Sequence, residues 1–297
     1  MFPTKEMDKV ASGFKGRMGF YIEDLKSGAV HMYNPDQRFP TASVCKVPVM
    51  IELYRQVEAG KLSLDDRRML RDDISSHGTG MLKLMVDQPE FTLRDYCRMM
   101  ISVSDNMATD MVIDAVGLEN VNKTVESLGF SNTRTNMSMS EWHYAISGVR
   151  DWPISRRNNR LVHERLVAGK IDFTGMPYTD SLDNNVTTPR EIAAIMKQLV
   201  QGKIVSKKAS EGMVEMLKLC RDRSVIPAQL KAEVETAHKV GFTRRVKADS
   251  GIVYLPSGPL VIAGFTLASE DPDGGDKAIA EVARLAVRAL SPESVSA

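Results

Sequence analysis

Cysteine is scarce in this chain, and its three copies, Cys45, Cys97 and Cys220, stand far apart. An odd, scattered set offers neither C-x-x-C metal spacing nor an even disulfide framework, so the three read as buried free thiols. The five histidines are equally scattered and include no H-E-x-x-H. The expected chemistry therefore uses no metal and no cofactor. An excess of one charge is missing as well: 39 basic residues against 38 acidic ones leave a formal +1. Such a chain has no field to gather phosphate backbones or anionic lipid, which argues against nucleic acid as a partner. Apolar runs such as 47–53 and 260–267 are cut by Pro, Gly or charge well short of the ~20 residues a membrane helix needs, so no membrane anchor is expected. Lys5, Glu6, Asp8 and Lys9 leave no room for the apolar core of a secretion signal. The chain as written is expected to be cytoplasmic, and periplasmic or secreted where a leader has been removed.

What is present suits an ordinary globular protein. The 297 residues are 43% hydrophobic and 26% charged, enough to bury a core without disulfide or metal staples. A monomer or weak oligomer is expected. Strand-like runs at 19–25 and 29–33 flank the turn residues Lys26-Ser27-Gly28 and predict a β-hairpin. From 42 to about 230 the period becomes helical, as in Val47, Met50, Ile51, Tyr54 and Val57 before Gly60. Strands return at 237–246, 251–255 and 260–267, and 277–290 reads as a terminal amphipathic helix. The order predicts an α+β fold, an α/β sandwich with an inserted all-α lobe. Its boundaries within a single domain of 1–297 would be an α/β lobe from 1–41 and 231–297 and a helical lobe over 42–230. The stretch 136–185, with Trp142, Trp152 and many loop-formers, follows neither period and predicts a functional loop with a short helix near 159–168.

Three short motifs carry chemistry. Ser43-Val44-Cys45-Lys46 opens a helix, where exposed N–H groups and the macrodipole favour an anion, and the lysine returns to the serine's side to take its proton. Ser104-Asp105-Asn106 is a polar triplet in an apolar helical context, offering a hydroxyl relay and an amide that can hold both a substrate carbonyl and the lysine. Lys239-Val240-Gly241 lies on a predicted strand, where glycine admits a close backbone approach and lysine supplies fixed charge. Their order and spacings of about 60 and about 135 residues make the set specific.

On these residues the sequence resembles the class A β-lactamase and penicillin-recognising serine hydrolase superfamily, with a β-lactamase/transpeptidase-like fold. Further matches are Phe39-Pro40-Thr41-Ala42, His77-Gly78-Thr79-Gly80, Val186-Thr187-Thr188-Pro189 and Asp249-Ser250-Gly251. The resemblance implies an acyl-enzyme on Ser43, with Lys46 as base, Ser104 as proton shuttle, Asn106 as anchor for substrate and lysine, and Lys239 as electrostatic clamp. The oxyanion hole would be the N–H groups of Ser43 and Phe242. Gly241, Thr243 and Arg245 join the expected substrate-binding set. The substrate would be a small-molecule amide or ester, a β-lactam in the first instance.

Three departures follow. The family's R-x-E-x-x-L-N motif reads Arg134-Thr135-Asn136-Met137-Ser138-Met139-Ser140 here, so Asn136 stands where a glutamate activates the deacylating water. An amide takes no proton from water at neutral pH, and deacylation is expected to be slow. Glu141, Asp151, Glu164, Asp180 and Asp183 are the available carboxylates, Glu141 nearest in sequence and Glu164 on an expected helix. Val240 replaces the hydroxyl residue that would hold a substrate carboxylate; strand alternation puts it with Phe242, and Thr243 with Arg245 on the other face. The omega-type loop, 134–186, is also enlarged. An esterase, peptidase or transacylase on another acyl group, and a penicillin-binding sensor that stays acylated, remain the alternatives.

Overall fold

A computed structural model describes residues 1–71, 73–74, 77–269 and 274–296. The chain divides into two compact units, Met1–Val44 with Val186–Ala297, and Cys45–Asn185.

The first unit is built on a five-stranded antiparallel sheet in which residues 30–33, 16–24, 258–268, 246–255 and 236–242 lie side by side in that order. It contains α1 (Thr4–Gly13), β1 (Gly16–Asp24), β2 (Val30–Tyr33) and the short β3 (Phe39–Pro40), which pairs with β6 (Val186–Thr187). α8 (Pro189–Val200), α9 (Lys207–Lys218), β7 (Thr236–Phe242), β8 (Val246–Leu255), β9 (Gly258–Ala268) and α10 (Gly274–Leu290) complete it. Strand alternation sorts its two faces. Met18, Phe20 and Ile22 of β1 share an apolar core with Met7 of α1 and Ile279, Val282 and Ala283 of α10. The neighbouring positions point the other way: Glu23 receives Lys197 of α8 at 2.6 Å, and Arg190 of α8 lies over the Tyr21 ring. The sheet is thus covered on both faces, as an α/β sandwich requires.

The expected lobe boundary moves. α8 packs on β1, β8 and β9, and α9 on β7, so both helices belong to the sheet unit and the helical unit ends at Asn185 instead of near 230. Helical period alone cannot tell which layer a helix buries its face against; the packing of α8 and α9 on the strands decides it.

The second unit holds α2 (Lys46–Glu58), the ribbon β4 (Arg67–Met69) with β5 (Glu90–Thr92), α3 (Leu93–Ser102), α4 (Asn106–Val116), α5 (Leu118–Ser127), α6 (Met139–Ile146) and α7 (Arg156–Val167). α2 packs against α3, α4 and α5. It is tied by Glu52, fully buried, whose carboxylate receives Arg55, Gln56 and Thr124. α4 is buried on nearly every side, the mark of a central helix. The expected loop over 136–185 holds two helices, not one: α6, started by a Ser138–Glu141 capping box, and α7, started by Ser155. Among the described residues no helix is long and apolar enough to cross a membrane.

Candidate active site

Ser43 does not open the α-helix itself. It sits in a 3-10 turn, Ala42–Cys45, and α2 begins at Lys46. Pro48 explains the delay: without an N–H it cannot bond the carbonyl of Val44, so the α-helical ladder cannot extend back over the serine. Ala42 holds φ at +44°, a left-handed conformation that costs a non-glycine residue about 1 to 2 kcal/mol and marks a backbone held for a purpose.

The strand motif meets this turn within the sheet unit. A Cβ on Gly241 would lie 2.7 Å from Ser43 N and 2.7 Å from Thr41 O, so only glycine lets β7 run so close to the backbone of Ser43. Lys239, two residues earlier on the same side of β7, is fully buried. Val240 points to the opposite face and is buried in the apolar core beside Val253 and Ile262. Thr243 and Arg245 are not on the strand. β7 ends at Phe242, and the Thr243 hydroxyl accepts the N–H groups of Arg245 and Val246 at 3.1 and 3.0 Å, making a turn of its own. Phe242 is half-exposed, with the Lys247 ammonium 5.6 Å from its ring centre.

The helical unit gathers the second motif around Lys46. This lysine is wholly buried and donates to Ser104 O at 2.7 Å, Ser104 Oγ at 3.0 Å and Asn106 Oδ1 at 2.7 Å, three acceptors for the three protons of an ammonium. Ser104 holds φ at +56°, which turns both its oxygens to the lysine. Asp105 caps α4 through Ala108 N and also receives Met81 N and Leu82 N at 2.6 and 2.9 Å. Asn106 Nδ2 donates to His77 O at 2.9 Å. The triplet thus divides its work: Asp105 caps the helix, while Ser104 and Asn106 hold the lysine.

Of the groups expected around the missing glutamate, Asn136 and Glu141 are engaged locally and Glu164 is exposed. Asn136 spends its amide on the loop, accepting from Asn122 at 2.7 Å and donating to Leu182 O at 2.6 Å. Glu141 is the capping-box residue of α6, receiving Ser138 N at 2.8 Å, and Glu164 is an exposed residue of α7.

Sequence reasoning missed Asp110. It is one turn beyond Asn106 on α4, and is buried. Its carboxylate receives Met139 N at 2.7 Å, Ser140 N at 2.9 Å and Ser140 Oγ at 2.5 Å. Burial pushes its pKa up to about 6, against the opposing pull of these donors and of Lys46. The signal lay in the sequence, an acidic residue inside the apolar run Met107-Ala108-Thr109-Asp110-Met111-Val112, since a buried carboxylate needs a partner.

Three of the five histidines, scattered in sequence, come together in space. His77 stacks on His163 at 5.8 Å and tilts against His143 at 5.7 Å. Burial drives His77 down to about 4 and His143 to about 3. Elsewhere, Cys45 and Cys97 are buried as expected but Cys220 is only partly so.

The model of the Beta-lactamase enzyme family matches residues 3–290, and the chain belongs to that family. It is a serine hydrolase of the class A β-lactamase type. Beta-lactamase SME-1 of Serratia marcescens is 23% identical over 306 aligned positions, covering 97% of this chain and 88% of that protein. A beta-lactamase structure from Sphaerobacter thermophilus superposes with a TM-score of 0.79 at 28% identity, covering 97% of each chain. A point mutant of PBP-A, solved as an acyl-enzyme complex with penicillin G, gives a TM-score of 0.78 at 25% identity, covering 97% of this chain and 96% of that one.

Proposed function

We propose that Ser43 attacks a β-lactam or related amide or ester carbonyl to form an acyl-enzyme. Lys46, acting as the neutral amine, takes the hydroxyl proton, and Ser104 passes it to the leaving group. Asn106 holds the substrate carbonyl, while Lys239 and the N–H groups of Ser43 and Phe242 stabilise developing negative charge. The observation that carries this reading is the buried lysine: Lys46 lies three residues from Ser43 and 3.0 Å from the Ser104 hydroxyl, within reach for a proton to pass between the lysine and that serine. The absence of a glutamate at Asn136 favours slow release of the acyl group. Asp110, buried and bonded to the Ser140 hydroxyl, is the candidate we name for drawing a proton from the deacylating water. Acyl transfer to an acceptor other than water is the second reading, favoured by the same amide at 136.

Intact-mass measurement after addition of a penicillin tests both. A mass increase on the native chain, absent in Ser43→Ala and slowed at least about a hundredfold in Lys46→Ala, is expected. No adduct on the native chain, with no turnover of a chromogenic cephalosporin, would remove the covalent mechanism.

A further inference from the structure

The sheet unit holds a second set of reactive side chains, which the acylation chemistry does not use. Cys220 follows α9, a helix that packs on β7, and lies partly buried against the apolar cluster of Val240 and Val253. His238 stands on β7 and Asp249 on the neighbouring β8, both buried. His238 Nδ1 lies 3.0 and 3.1 Å from the two Asp249 oxygens, and Oδ2 also receives Ile226 N at 2.9 Å. The carboxylate is thereby fixed, and it fixes the ring with the Nδ1 proton held between them. Gly251, directly across the ladder from His238, gives the ring its place, since a Cβ there would overlap His238 Cβ.

Asp249 occupies Nδ1 and leaves Nε2. That nitrogen is buried and meets no nitrogen or oxygen partner among the described residues, a state that costs about 1 to 3 kcal/mol unless another group faces it. The sulfur of Cys220 is the group beside it. Burial pushes the thiol's pKa up, but hydrogen bonding and charge from His238, and then Lys239, bring it below the ordinary value against the opposing charge of Asp249. The thiol's own contact to Asp222 O is 4.0 Å long and holds its proton only weakly. A nucleophile, a proton-carrying ring and a carboxylate that orients the ring are the parts of an activated thiol. Cys220 is also the only cysteine of the sheet unit, so that unit offers no second thiol to close a disulfide. Arg221 and Ser224 close by are exposed, which opens the partly buried sulfur to a small reagent and not to a bulky one.

We propose that Cys220, His238 and Asp249 form a modification site for hydrogen peroxide and small alkyl hydroperoxides, at which Cys220 is oxidised to the sulfenic acid. The thiolate sulfur attacks one peroxide oxygen; the S–O bond forms and the O–O bond breaks. The departing hydroxide or alkoxide takes the Nε2 proton of His238 and leaves as water or alcohol. Sulfur gives up two electrons and the peroxide gains them. Asp249 holds the ring so that this proton points at the sulfur, and takes no part in the electron count.

The reduced full-length chain, treated with hydrogen peroxide in the presence of dimedone, provides the test, with the adduct followed by intact mass and located by peptide mapping. One adduct on Cys220 is expected. At pH 7 it should form about tenfold or more faster than on free cysteine, through higher thiolate content and proton donation to the leaving oxygen. The rate should level off with pH below the free-cysteine midpoint of about 8.5. His238→Gln should lower the pH 7 rate by about tenfold and move that midpoint upward. Where His238→Gln fails to fold, the native profile decides: a midpoint at or above that of free cysteine overturns the proposal, and a lower one supports it. A first adduct on Cys45 or Cys97, a native rate no higher than that of free cysteine, or an unchanged rate in folded His238→Gln overturns it as well. Ser43→Ala should be oxidised at the native rate, which separates this site from the acylation reading; a loss of Cys220 oxidation in that variant would overturn the assignment to these three residues.

Discussion

Asp110 receives the hydroxyl of Ser140 at 2.5 Å, and through that bond the central helix α4 fixes the start of α6. The carboxylate accepts three donors at once, which an amide with its single oxygen cannot do. Asp110→Asn should cost about 1 to 3 kcal/mol, read as a lower unfolding midpoint in denaturant. It should also slow deacylation more than acylation in the intact-mass assay, a split that a purely structural role would not give. The pH dependence has a definite sign. Because the folded pKa is raised from 3.8 to about 6, the folded chain keeps this proton where the unfolded chain loses it. Native stability relative to Asp110→Asn should therefore fall as pH rises from about 4 to about 6.

His238 gives the opposite case of a buried titrating group. Its Nδ1 lies 3.0 Å from Asp249 Oδ1, with both side chains out of solvent. Burial opposes the charged ring, but Asp249 and then Cys220 outweigh it and raise the pKa to about 10. A raised histidine stabilises fully below its unfolded value near 6.5 and loses that contribution as pH climbs through about 10. Thermal unfolding followed between pH 6 and 10 should show a falling midpoint, and His238→Gln should flatten that part of the curve.

Cys220 should be the reactive thiol. Burial pushes its pKa upward, but His238 and then Lys239 bring it below the ordinary thiol value overall. Cys97 is pushed up to about 12 by burial alone. Iodoacetamide followed by peptide mapping should label Cys220 before Cys45 and Cys97, since reactivity follows thiolate content and access. Labelling of Cys97 first would contradict this.

Gly241→Ala tests the approach of β7 to the nucleophile. The new Cβ would press on Ser43 N and Thr41 O at 2.7 Å, both backbone atoms that cannot swing aside. Acylation should slow by about 10²-fold, the scale of a misplaced reacting group, while circular dichroism stays native. An unchanged acylation rate would mean that the turn 41–44 yields without loss.

The motifs were legible because each carries its geometry in a few adjacent residues: Ser43 to Lys46 spans one turn, and Ser104 to Asn106 closes one helix start. The sheet was legible from the strand-like runs at 19–25, 29–33, 237–246, 251–255 and 260–267, with the turn residues between them. The partners of Asp110 were not, because an acid inside an apolar run signals the need for a partner without revealing that Met139 and Ser140 return to it. Thr243 and Arg245 were misplaced because a threonine hydroxyl that bonds the next backbone N–H groups ends a strand that β-propensity alone would continue. α8 and α9 were assigned to the wrong unit because only packing against β7, β8 and β9 distinguishes them from the helices before them. The clustering of His77, His143 and His163 left no trace in spacing.

The pairing of β1 with β9 joins residues 16–24 to residues 258–268, and Gly241 reaches the Ser43 turn on a strand of that same sheet. During synthesis the helices of 45–185 leave the ribosome with every residue of their own core, whereas β1 waits for nearly the whole chain before its central partner exists. Long-range pairing of this kind is the slow part of folding. The backbone around Ser43 is therefore set last, so on the proposed reading an unfinished chain exposes a serine but not yet a reactive one.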